Sequence, residues 1–106
     1  MSARSMVGWV SMTYSARWIE LHSVVQWLRG DDDSEWLDQI ELLAGTMFDL
    51  KEMVRPMIRQ TVVPPEGMAI CVALYQMTRM MAAMQRRDRV TALECGQAAL
   101  ALMAEE

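Results

Sequence analysis

The sequence predicts an all-α fold, an antiparallel bundle of three to four helices completed or extended by homodimerisation, and three observations predict it. Apolar residues recur at steps of three and four along most of the chain. The breaks in that pattern fall at Gly30, at Pro64-Pro65 and near Asp88, so the connections are short and neighbouring helices run antiparallel. Hydrophobic residues make up 53% of only 106 residues. With a mean hydropathy of +0.07, that is more apolar surface than so small an interior hides alone. A single domain over residues 1–106 follows, with burial between two copies as the economical outlet.

In the first element, Trp18, Leu21, Val25 and Leu28 repeat at helical spacing and Gly30 stops the helix. Upstream, residues 1–14 contain β-branched residues, Gly8 and several hydroxyls, all weak helix formers, so this stretch reads as an extension of the helix, a strand or a flexible arm. Asp31, Asp32, Asp33 and Ser34 offer N-caps and negative charge to the second helix. Its seam, Trp36, Ile40, Leu43, Met47, Leu50, Val54 and Met57, steps by 4, 3, 4, 3, 4, 3, the period of coiled-coil packing. Pro56 ends or kinks that helix within a turn.

A third helix is predicted from about Glu66 to Arg87, opened by Pro65 and closed by Arg86 and Arg87 at its negative end. Four of the twelve methionines, Met77, Met80, Met81 and Met84, share one face of it. The helix is apolar nearly all round, so Met77, Met81 and Met84 are assigned to the core or dimer seam along with the Trp36–Val54 series. Met80, with Tyr75 and Cys71, remains for a second subunit or a partner. Asp88, or Thr91 with Glu94, caps a fourth helix whose Gly96 and Ala99 permit close approach.

The same residues exclude much chemistry. No paired acid–base or nucleophilic constellation is visible, so no enzymatic activity, catalytic residue or cofactor is expected. The acidic run Asp31–Glu35 lacks the alternate spacing and glycine of a calcium loop, and His22 has no ligand partner at metal spacing. The methionine cluster reads as packing rather than a copper site, so no metal is expected. Cys71 and Cys95 lie too far apart across the predicted hairpin to pair. Net charge of −4 argues against broad contact with nucleic acid, and the fourth helix lacks base-reading side chains. With no adequate apolar span and no secretory signal, a cytoplasmic protein is expected, with no membrane contact.

Protein–protein contact is what remains. Trp9 and Trp27 lie off the apolar seams, Phe48 sits off the Met47/Leu50 seam, and together with Tyr75 and Met80 they are the candidate partner-binding residues. In size, acidity and all-helical pattern, over its whole length, the chain resembles the small quorum-sensing anti-activators that sequester LuxR-type transcription regulators. That resemblance implies a regulatory protein whose partner is a dimeric, ligand-binding transcription factor, inhibited by occupation of its association surface before it reaches DNA. The rival expectation is a secretion chaperone or antitoxin dedicated to one client.

Overall fold

Ala3–Leu28 form α1, Trp36–Ile58 α2, Pro65–Gln85 α3 and Arg89–Ala104 α4 in a computed structural model. The structure describes the backbone of residues 3–104 and the side chains of residues 14–104. Every described element is helical, as the spacing predicts. α1 packs against α2 and α4, and α3 packs against the same two, so the helices stand at the corners of a square, and among the described residues the backbones of the diagonal pairs stay apart. This is the up-down-up-down bundle that short connections produce.

The boundaries follow local chemistry. Pro64 is extended (φ −65°, ψ 155°) and Pro65 opens α3, where a missing amide costs nothing because the first-turn amides have no intrahelical partner. Pro56 stands inside the last turn of α2, which ends two residues later at Ile58. The Thr91 amide donates to Asp88 Oδ1 at 3.1 Å, so Asp88 is the cap of α4 and Thr91 lies inside the helix. This hydrogen bonding, first from the Thr91 side chain and then its amide, holds the Asp88 carboxyl below the usual range.

One capping expectation is corrected. None of the residues Asp31–Ser34 caps α2, which starts at Trp36 behind Glu35 without a side-chain cap. Asp32 instead accepts from the Ser34 amide (2.9 Å) and hydroxyl (2.7 Å), an Asx turn within the loop. Asp33 turns away from the helix end toward Arg89 and Trp36. A guanidinium and an indole N–H are stronger claims on that carboxylate than a backbone amide.

Leu43, Leu50, Ile70, Met77, Met80 and Met84 are all fully or almost fully buried at the centre. The α2 seam lies in this core: Trp36, Leu43, Leu50 and Val54 are buried, with Ile40 and Met47 partly so. A second correction concerns Met80, which has no exposed surface and therefore offers none to a partner. Its sulfur and methyl fill the space beside Gly96, where an added Cβ would lie 3.1 Å from Met80 Cε and 2.7 Å from Val25 Cγ2. Glycine lets α4 come close enough to α1 and α3 for Met80 to be enclosed, and the flexible thioether fits the remaining gap.

Candidate protein-interaction surface

The chemistry-bearing residues go mostly to holding the bundle together. Arg17 pairs with Glu20 of its own helix at 2.9 Å and, across to α2, with Asp49. The buried Thr46 hydroxyl stands 2.7 Å from Glu20 Oε2 and 3.0 Å from the Leu42 carbonyl, either of which accepts its proton. His22 stacks on Trp18 at 5.0 Å and reaches Gln26 at 3.3 Å. Among the described residues no three His, Cys, Asp or Glu side chains gather as a metal site would need. Cys71 is exposed, Cys95 is buried, and both are free thiols. Among the described residues no helix is long and apolar enough to cross a membrane.

The end of the bundle where the α1–α2 loop meets the α3–α4 turn is held by two arginines. Arg89 donates to the carbonyls of Trp27 (3.0 Å), Leu28 (3.1 Å) and Asp32 (2.8 Å) and to Asp33 Oδ1 (3.0 Å). It thus satisfies the last carbonyls of α1, which have no helical partner, with a charged donor at the negative end of the dipole. Its guanidinium also lies over Trp27 (4.6 Å) and Trp36 (5.1 Å), which meet each other edge to face at 4.9 Å. Arg87, in the left-handed region at φ 60°, lies 4.9 Å from the Trp36 ring and donates to the Met84 carbonyl. The Arg89 hydrogen bond, then that from Trp36, draws the Asp33 carboxyl below its ordinary value. Trp27, a candidate contact anchor in the sequence, is therefore a half-buried part of this corner. The reason is Arg89, 62 residues away, which no local pattern announces.

The other candidates sort differently. Trp9 lies outside the residues whose side chains are described. Phe48 (63% exposed), on α2, and Tyr75 (62%), on α3, both face solvent. Thr46 and Asp49 look at α1, and Asp38 shares that side of α2. The outward side carries Leu37, Ala44 and Phe48, with Glu52 one turn and Glu41 two turns from Phe48. On α3, Met80 marks the α4 side and Gly67, with Met57 3.3 Å from a Cβ placed there, marks the α2 side. Met68, Cys71, Tyr75 and Ala82 then point outward beside α2. Nine residues along from the Met57–Gly67 contact, Phe48 stands level with Gln76, next to Tyr75.

This α2–α3 side is mixed: Leu37, Phe48, Met68 and Tyr75 stand among the exposed Glu41, Lys51, Glu52, Arg55 and Arg79, and Arg55 is tied to Glu52 at 3.3 Å. Thr78 turns its hydroxyl back to the Leu74 carbonyl (2.9 Å) and asks nothing of solvent. Sequence reasoning placed Leu37 with Phe48 but missed Met68 on the outward side of α3. The signal for Met68 was present, since it precedes Cys71 and Tyr75 at steps of 3 and 4.

A smaller feature lies where α4 ends against α1. There Tyr14, Ser15, Trp18, Ile19, Met103 and Ala104 line an open cleft of about 360 Å³, closed on one side by the Tyr14 hydroxyl donating to the Met103 carbonyl at 2.7 Å. No family model matches this chain, and neither a curated protein nor a solved structure matches it.

Proposed function

We propose that this is a regulatory binding protein and not an enzyme. It works in the cytoplasm, self-associates, and inhibits another protein by covering that protein's association surface. The observation that carries this reading is the α2–α3 face. Phe48, Tyr75, Met68 and Leu37 are each at least 60% exposed although the core is already filled by other residues. Exposed aromatics and a methionine on rigid helices are what protein recognition uses, the rings as fixed anchors and the thioether as an adaptable one. The target class is a LuxR-type transcription regulator, in keeping with the chain's likeness in size, acidity and helicity to the anti-activators of such regulators. Binding would withdraw the regulator by mass action, and DNA itself would not be touched.

A gel-shift assay tests this. Purified protein added to a ligand-loaded LuxR-type regulator on its operator should release the DNA in proportion to protein added, and Phe48→Glu should leave the DNA bound. Unchanged DNA binding, together with rescue of an insoluble secreted client or neutralisation of a toxin on coexpression, would establish the chaperone or antitoxin reading instead.

A further inference from the structure

The buried residues of α3 and α4 are apolar, cysteine or glycine, whereas polar groups run along the seam between α1 and α2. Arg17 of α1 reaches Asp49 of α2. Three residues further along α1, Glu20 Oε2 lies 2.7 Å from the hydroxyl of Thr46, three residues back along α2. These two rungs share one antiparallel register, which sets the heights of the residues beyond them. Seven residues past Glu20 stands Trp27, and seven before Thr46 stands Gln39. The two therefore lie level with each other and, one heptad along, on the same sides of their helices as the second rung. Trp36, one turn before Gln39, already meets the Trp27 ring at 4.9 Å.

Trp27 and Gln39 each hold a buried polar atom with no hydrogen-bond partner among the described residues: Nε1 of Trp27, a donor, and Oε1 of Gln39, an acceptor. Kept apart, each forfeits the hydrogen bond it makes to water in the unfolded chain, so pairing is the lower-energy arrangement. We infer that Trp27 and Gln39 hydrogen-bond as the third rung of a polar ladder that fixes the register of α1 on α2.

Apolar packing specifies that register only weakly. The α2 seam steps by four and three, so a slide of one heptad returns apolar residues to apolar positions, and methionines re-pack around new neighbours. The ladder opposes the slide. Moved by seven residues either way, Arg17 comes opposite Leu42 or Pro56 and loses the carboxylate that α2 supplies. Its side chain is only 19% exposed, so solvent does not replace that partner. Setting register is the best-attested use of polar groups inside helix seams. It is independent of what the outward faces bind.

Hydrogen exchange at the Trp27 indole, followed by proton–nitrogen correlation spectra of the full chain, tests the third rung. Gln39→Met keeps the side-chain length and removes the acceptor, and should speed that exchange by about tenfold. The backbone amides of Val24 and Val25, one turn away, should change far less. An indole that exchanges at one rate in both proteins, or that quickens only in step with those amides, overturns the rung. The whole ladder is tested by making it apolar, with Arg17→Met, Glu20→Met, Gln39→Met, Thr46→Val and Asp49→Leu combined. The helices should still pack, because apolar replacements of buried polar groups are commonly neutral or stabilising. The four tryptophans give four indole signals in the native chain, and the variant should give more as several registers coexist. Four sharp signals in the variant would mean that apolar packing and the Arg89 corner set the register without the ladder, and its role would be overturned.

Discussion

The corner closed by Arg87 and Arg89 and the outward face of α2 and α3 both carry large aromatic side chains, and they treat them in opposite ways. At the corner, Trp36 is 6% exposed and its indole N–H donates to Asp33 at 3.0 Å. Two guanidinium groups lie over the tryptophans, and four hydrogen bonds from Arg89 tie the end of α1 to the loop. On the α2–α3 face, Phe48 and Tyr75 stand out from the surface with no guanidinium over either ring among the described residues. One region wraps its rings in cations and hydrogen bonds from the same chain, and the other leaves its rings in solvent. The difference teaches that aromatic content alone does not mark a binding surface. What surrounds the ring does.

Four experiments put that contrast to the test. The largest effect belongs to the core that underlies both regions. Met80→Ala should lower stability by about 2–4 kcal/mol in a denaturant titration, because a fully enclosed side chain leaves a cavity. A loss under about 0.5 kcal/mol, the size typical of surface sites, would return Met80 to the surface. At the corner, Arg89→Ala should cost about 2–3 kcal/mol, because it strips charged donors from the carbonyls of Trp27, Leu28 and Asp32 along with the ring contacts. For a chain this size that is a fall of about 10–20 °C in Tm. Arg89→Lys should recover less than half of it, since an ammonium cannot reproduce the fork.

Acid should loosen the corner and spare the face. The Asp33 carboxyl is held below its ordinary value of 3.8 by Arg89, and Asp32 below the same value by the Ser34 amide and hydroxyl. A depressed folded value means that the ionised form contributes stability at pH above the unfolded value, and that this contribution is lost as pH falls through the folded one. Thermal melts should therefore hold from pH 7 to about 5 and drop below about 4. Arg89→Ala should shrink the part of that drop due to Asp33. The smallest effect is on the face, where Phe48→Ser should change monomer stability by no more than about 0.5 kcal/mol. A loss of several times that would mean Phe48 packs within the chain, and the contrast between the two regions would collapse.

Much of the fold was legible because it rests on local spacing. The heptads of α2, the proline pair before α3 and Asp88 before α4 each act within a turn or two of themselves, and each appears in the structure where the sequence puts it. Less of the candidate site was legible. Phe48 and Tyr75 could be named from their positions off the main seams, and both are exposed. Trp27 and Met80 carried the same outward sign and are a corner residue and a core residue. Their fates depend on Arg89 and Gly96, which come from the far end of the chain.

The helices and their antiparallel order are thus written in the sequence alone, since periodicity and turn residues are properties of neighbours along the chain. The tertiary structure settled what becomes of residues off the main seams: Met80 is enclosed because Gly96 admits it, and Trp27 is drawn into the corner by Arg89. Closing the square of four helices, with Gly96 letting α4 approach and Arg89 clamping the corner, encloses one stripe of each helix and turns Phe48, Tyr75 and Met68 outward.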